Sequence, residues 1–261
     1  MYALLSPAKK LNEPPAALAC PHTTPCLLED TLELMETART LSTEDLKDLM
    51  KISDKLADLN WQRFRDFGLP FTPNNARQAI LCFNGDTYAG LDATTLSQAD
   101  LDYAQEHIGI LSGLYGILKP FDLIQPYRLE MGTKLSTGRG KNLYAFWGSK
   151  ISETVTDWAQ SHDNQTLVNL ASNEYFKAVD KKALNTPVIT PVFLEEKDGK
   201  TRVISFMAKR ARGMMARFMV ENRIEQPDAL KEFAEAGYAY DAALSSETDW
   251  VYRRNQPPPA R

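Results

Sequence analysis

The apolar residues of this chain switch between two periodicities without strictly alternating, and that pattern does most to narrow the fold. Compact apolar runs, "YALLS" at the start, "QAILCF" from Gln78 and "TLVNLAS" from Thr166, read as buried strands, the second ending in Asn84-Gly85-Asp86, where Gly permits the positive φ of a tight turn. Leu28 to Arg39 and Leu46 to Phe64 carry apolar residues at helical spacing, the second introduced by Ser42 with Asp45 three positions on, a capping-box pattern. Ser97 with Asp100 repeats that pattern and opens a helix through about Leu111. "NEYFKAV" reads as the first turns of a helix capped by Ser172 or Asn173. "PVITPVFLEE" and "TRVISFMA" flank the turn "KDGK" and make a hairpin, and "KRARGMMARFMVENRI" is helical. "PDALKEFAEAG" reads as a helix opened by Pro227 and closed by Gly237, and "YAYD" pairs with "DWVYRR" as closing strands. Strands and helices mixed in this way favour a mixed α/β (α+β) single domain, a mixed sheet flanked by helices, over a Rossmann unit. That domain is expected over residues 1–254. The tail 255–261, "NQPPPAR", is expected to be disordered, and the Pro-rich stretch from Glu13 to Pro25 to be an irregular loop.

Several functional classes drop out on composition and motif. The apolar start before Ser6 and Pro7 is too short for a signal peptide, and no apolar run approaches the roughly 18 residues of a membrane span, so a cytoplasmic location away from membranes is expected. Walker, dinucleotide-binding, nucleophile-elbow and H-E-x-x-H fingerprints are absent. Cys20, Cys26 and Cys82 make no C-x-x-C, and His22, His107 and His162 are scattered, so no metal site and no cofactor are expected. Cys20, His22 and Cys26 could supply three soft ligands, but ordinary thiols in a loop are the better reading. Charge is segregated: six basic residues and no acid lie between Lys200 and Val220 on a chain whose net charge is −4.

Four stretches carry candidate chemistry. "HIGILSGLYGILKPFDLIQPYRLEMG", residues 107–132, holds four glycines and two prolines. Its "LSGLYG" resembles the hairpin of a helix-hairpin-helix, in which N–H groups at Gly113 to Gly116 meet a phosphate, with Lys119 beside it. By local physics alone the bend is more often just a turn. Next, Tyr127 could stack on a base or sugar while Arg128 grips a phosphate, or Arg128 could simply pair with Glu130. "SPAKK", with Ser6 and Lys9 at a strand end, makes an anion-binding corner or an exposed lysine pair. Finally, a helix from about Ala208 puts Lys209, Arg212 and Gly213 on one side, with Arg217 a turn on, where a small residue would let a phosphate backbone approach.

Taken in order, "LSPAKK", "FNGDTYAGL", "LSGLYGILKPFDLIQPYRLEMG", "NLASNEYFKAV" and "ISFMAKRARGMMARF" closely resemble the YaaA family of bacterial peroxide-stress proteins, also called UPF0246 or DUF328. The resemblance runs from Met1 to about Tyr252. It implies a family-specific α/β fold, resistance to hydrogen peroxide through limiting iron-driven damage, and DNA binding through a basic cleft and a helix-hairpin-helix. The matched positions are Ser6, Lys9, Arg128, Lys177, Lys209, Arg212 and Arg217; Lys10 stands where the family commonly has Thr. The leading expectation is therefore phosphate-mediated DNA binding without sequence readout. The alternative is an enzyme for a phosphorylated or carboxylated small molecule, with Ser6, Lys9, Lys177 and Arg128 in a pocket and Glu130 or Glu174 as acid or base. Direct iron sequestration is discounted because the histidines look isolated.

Overall fold

A strand that is apolar on both sides of its pleat needs cover on both faces, and Tyr2–Leu5, Ile108–Ser112 and Leu167–Leu170 are of that kind. The computed structural model, which describes residues 1–12, 21–180, 183–184 and 186–257, places these three side by side within an eight-stranded sheet. The sheet strands are β1 (Tyr2–Leu5), β2 (Ile108–Ser112), β3 (Gly116–Leu118), β4 (Leu167–Leu170), β5 (Val188–Lys197), β6 (Lys200–Arg202), β7 (Ala239–Tyr240) and β8 (Asp249–Asn255). Their order is β7-β8-β5-β4-β1-β2-β3, with β6 paired to β5. Neighbours from β8 through β5, β4 and β1 to β2 run parallel; β3, β6 and β7 pair antiparallel. In the central register Leu4 faces Gly109 on one side and Asn169 on the other.

Among the helices are α1 (Leu28–Arg39), α2 (Thr43–Met50), α3 (Asp54–Asp66), α4 (Asp86–Leu91), α5 (Gln98–His107), α6 (Lys150–Gln160), α7 (Asn173–Phe176) and α8 (Ser205–Glu221). Both expected capping boxes form: Asp45 N–H donates to Ser42 Oγ at 3.1 Å, and Asp100 N–H to Ser97 Oγ at 3.2 Å. Among the described residues no helix is long and apolar enough to cross a membrane. The hairpin turn between β5 and β6, the cap position at Ser172 and the pairing of β7 with β8 follow the sequence reading, but the second arm of the hairpin ends at Arg202 and the "SFMA" expected in it is already the first turn of α8.

Elsewhere the structure corrects that reading. Leu46 to Phe64 is two helices, because Lys51 takes a left-handed conformation (φ 52°) and Ser53 starts a new N-terminus. "QAILCF" is a single buried helical turn, Ala79–Cys82, flanked by two-residue strands; apolar runs this short carry no usable period. Gly85 beyond it is extended (φ −178°), not left-handed; a Cβ there would stand 3.1 Å from that of Ala8. "PDALKEFAEAG" forms two 3₁₀ turns, broken where Phe233 leaves helical geometry to bury its ring against Phe193 and Tyr252. At the tail, Asn255 belongs to β8 and Gln256 N–H donates to the Glu196 carbonyl at 2.8 Å, so the disordered-end expectation fails at those two positions. Residues 13–20 of the Pro-rich loop, Cys20 among them, and 258–261 of the tail lie outside the described residues.

The largest correction concerns the glycine-rich bend. Helix α5 stops at His107, and Ile108–Ser112 and Gly116–Leu118 form a β-hairpin, so no helix-hairpin-helix exists there. The β-branched, apolar start of that run pairs with β1, which outweighs the continuing helical spacing.

Two glycines lock the helical layer to itself. A Cβ on Gly213 of α8 would stand 1.8 Å from the Thr87 carbonyl oxygen, and one on Gly90 of α4 would stand 2.1 Å from the Arg210 carbonyl oxygen. The two backbones therefore touch, and no side chain fits between them. Gly213→Ala should destabilise the fold by about 2 kcal/mol or more in urea unfolding, whereas Gly138→Ala, with nothing within 4 Å, should change it by less than about 0.5 kcal/mol.

On α1, buried Asp30 accepts hydrogen bonds from Arg139 at 2.6 Å and from Lys150. Burial alone would raise its carboxyl, but the Lys150 and Arg139 hydrogen bonds outweigh it and hold the group below its ordinary value. A folded value below the unfolded one means stability that is full above about pH 4 and is lost as pH falls through the folded value. Asp30→Asn should cost about 2 kcal/mol at pH 7, and the gap to the wild type should close as the pH drops below about 4, read from urea midpoints at fixed ionic strength.

Candidate functional site

Parallel strands carry their sites at their carboxyl ends. Here Ser6 follows β1 and Ser172 follows β4, and the two are joined: Ser172 N–H donates to Ser6 Oγ at 2.8 Å, while Tyr88 Oη donates to the Ser6 carbonyl at 3.1 Å. Around this corner opens a cleft of about 440 Å³. Its walls come from residues 6–10 after β1, 84–87 leading into α4, the extended segment 127–130, the start of α7, and Lys209 and Arg212 of α8. The backbone contact at Gly90 and Gly213 sets α8 against α4, so it also fixes where Lys209 and Arg212 stand relative to Asp86 and Thr87.

The cleft gathers five cationic and three carboxylate side chains. Glu130 bridges two of the cations, with Lys9 Nζ 2.8 Å from one carboxylate oxygen and Arg128 Nη2 3.2 Å from the other. Glu174 accepts the Gly132 N–H at 2.9 Å. Arg128 and Arg212 each keep a buried Nε that has no hydrogen-bond partner. Arg212 makes no hydrogen bond or ion pair at all among the described residues, and burial pulls its guanidinium below the ordinary value. Buried polar groups are normally satisfied, so two unsatisfied guanidinium donors in one cleft mark a place where an acceptor belongs. The lining phenols of Tyr127 and Tyr175 are pushed up by burial and stay neutral donors or acceptors.

Eight of the expected residues line this cleft: Ser6, Lys9, Tyr127, Arg128, Glu130, Glu174, Lys209 and Arg212. The others do not. Gly113 and Gly116 lie in the buried β-hairpin turn, where the Tyr115 N–H is taken by Ser112 Oγ (2.9 Å) and the Gly113 carbonyl by Trp147 Nε1 (3.1 Å). Their lack of a side chain serves packing, since a Cβ on Gly113 would stand 2.1 Å from the Leu129 carbonyl oxygen and Gly116 has φ +70°. The bend is the turn that the fold requires. Lys119 pairs with Glu106 at 3.1 Å. Lys177 lies 5.1 Å over the Tyr144 ring, outside the cleft lining. Arg217 donates to the carbonyls of Leu91 and Asp92 and pairs with Glu221 at 2.7 Å, a clamp between α8 and the end of α4. Gly213 is buried under α4, so no phosphate backbone approaches it. Tyr127 Oη hydrogen-bonds Ser112 Oγ at 2.6 Å and its ring packs edge-on against Tyr115, which leaves it no freedom to stack on a base.

The sequence reading missed Asn84 and Asp86 as cleft residues and took "NGD" for a tight turn. The available signal was a polar triplet placed between a buried run and a helix start.

The sequence model of the family described as peroxide stress protein YaaA matches residues 1–244. The chain belongs to the YaaA peroxide stress protein family. UPF0246 proteins of Burkholderia lata and Burkholderia cenocepacia are each 55% identical to it, covering 97% of this chain and 98% of theirs. One from Burkholderia vietnamiensis is 54% identical over the same share. Each stretch that carries the YaaA resemblance contributes residues to the cleft walls: "SPAKK", "NGDT", "YRLE", Glu174 with Tyr175, and Lys209 with Arg212 meet there from distant parts of the chain. In this YaaA member, Arg212→Met should raise unfolding stability by about 1 kcal/mol, because it removes a buried cation without a partner, while abolishing any anion binding in the cleft. Paired urea unfolding and calorimetric titration would check both halves.

Proposed function

We propose that this YaaA family member acts in the peroxide-stress response, in the cytoplasm, by binding a phosphorylated or carboxylated small molecule in the cleft at the ends of β1 and β4. The observation that carries this reading is that Arg128 and Arg212, each with a buried Nε that has no partner, both line one cavity of about 440 Å³. That size is within the roughly 300–1,000 Å³ of small-ligand sites. Arg128 and Arg212 would grip the anion, Lys9 and Lys209 would supplement the charge, and the Ser6–Ser172 corner would offer hydroxyl groups to its edge. Glu174, whose side chain accepts only the Gly132 N–H among the described residues, and Asp86 are the carboxylates available for acid or base work; Glu130 is engaged by Lys9 and Arg128.

A second reading is DNA binding through phosphates, in keeping with the family's link to iron-driven DNA damage. What favours it is exposed charge: Lys9, Lys10 and Lys209 line the cleft and are exposed, and on the same helix as Lys209 so are Arg210 and Phe206, the latter 57% exposed. Gly113, Gly116, Lys177 and Arg217 would play no part.

One titration separates the two. With nucleoside monophosphates, inorganic phosphate and a tricarboxylate as small ligands, the wild type should bind at least one saturably, and Arg128→Ala should lose it by tenfold or more. Duplex DNA over a salt series supplies the other arm, where phosphate-mediated binding weakens by roughly 0.7 to 0.9 log-log units per neutralised phosphate. Steep DNA binding with no small-anion binding would replace the first reading by the second.

A further inference from the structure

We infer that His107, His162 and Glu225 form a site for a divalent first-row transition-metal ion at the amino-terminal edge of the parallel sheet, the opposite end from the cleft. The three lie far apart in sequence and looked isolated there. In the fold, His107 ends α5 where β2 begins, His162 follows α6 shortly before β4, and Glu225 follows α8. Their ligand atoms all lie within 4.8 Å of one another.

Both imidazoles are oriented as metal ligands are. His107 Nδ1 is 3.0 Å from the Met1 carbonyl oxygen, which can only accept, so that nitrogen carries the proton and Nε2 presents a lone pair. The His162 ring hydrogen-bonds the Glu106 backbone, and since its Nε2 is buried without a partner, the bond falls to Nδ1. Each histidine thus donates through Nδ1 to a backbone carbonyl and keeps Nε2 free, the outer-sphere arrangement typical of metal-bound histidine. Packing fixes the rings: Tyr103 stacks on His107 at 3.7 Å, and the two histidine rings are 4.4 Å apart.

Glu225 completes the set. Its Oε1 stands 3.6 Å from His107 Nε2 and accepts from Tyr103 Oη at 3.0 Å. Ligands at about 2.1 Å from an ion sit roughly 3.0–3.5 Å from one another, so the site closes with a shift of about 1 Å, and the half-exposed Glu225 side chain is free to make it. A plain ion-pair reading, with Glu225 serving the Met1 amine at 3.8 Å, leaves the buried His162 Nε2 without a purpose. Two imidazoles and one carboxylate suit Zn²⁺, Fe²⁺ or Co²⁺ and not Mg²⁺ or Ca²⁺, and three protein ligands leave positions open for water or an exchanging ligand.

The test uses Co²⁺ on the full, metal-stripped chain. One equivalent per chain is expected, with visible ligand-field absorption, and Zn²⁺ should displace it. Ring ¹⁵N resonances of His107 and His162 should shift on addition while those of exposed His22 stay put, a readout that needs no variant. His162→Gln and Glu225→Gln should each weaken binding at least tenfold, and His22→Ala should not. No saturable Co²⁺ or Zn²⁺ binding by the wild type, binding by His162→Gln and Glu225→Gln equal to that of the wild type, or shifts confined to His22 would overturn the site.

Discussion

The cleft depends on a contact that involves no side chain. Where α4 crosses α8, Gly90 and Gly213 let the two backbones meet, and any Cβ at either position would collide with a carbonyl of the other helix. Close packing transmits a displacement of this kind because interiors have little spare volume. Lys209 and Arg212 lie one turn or less before Gly213, and Asp86 and Thr87 within one turn of Gly90, so an error at the crossing would misplace two cleft walls at once. Arg217 reinforces the same joint by holding the carbonyls at the end of α4. A residue counted from sequence among the phosphate-gripping cations thus contributes to the site by positioning others.

Much of the scaffold was legible from sequence where chemistry is local. Ser42 with Asp45 and Ser97 with Asp100 form their boxes because a short side chain three residues from a carboxylate needs nothing from the rest of the fold. The strands β1, β4 and β5 were legible because a buried or alternating run bounded by turn residues has few other uses. Illegible were the places where a tertiary partner decides. Ile108–Ser112 continues the spacing of α5, yet β1 claims it as a strand; Ala79–Cys82 looks like a strand and coils into one turn. The glycine-rich bend failed for a related reason, since Gly is needed equally for an exposed N–H nest and for close packing under Trp147.

The cleft was legible as a set of residue types and illegible as a set of neighbours. Ser6, Lys9, Arg128, Lys209 and Arg212 came from three separate stretches, and each alone had an ordinary alternative. What distinguishes Arg128 and Arg212 from Lys119, Lys177 and Arg217 is satisfaction: the first two keep an unpartnered buried nitrogen, while the others are spent on a carboxylate, a ring or carbonyls. Sequence does not encode that difference in any local pattern.

The two ends of the parallel sheet differ in the kind of ligand they can hold. At the carboxyl ends, cations outnumber carboxylates and the unpaired groups are donors, so the cleft answers to anions. At the amino ends, the unpaired groups are neutral imidazole lone pairs beside a carboxylate, an arrangement that answers to a cation. The strand β1 joins them: Met1 holds the His107 ring through its carbonyl, and Ser6 four residues past Tyr2 shapes the cleft. Between the two, Tyr2 to Leu5 are wholly buried and paired on both edges, which makes β1 a stiff rod. Occupancy at one end can reach the other only by sliding that rod against β2 and β4, and a register with hydrogen bonds on both sides resists sliding. The structure therefore favours two sites that act independently.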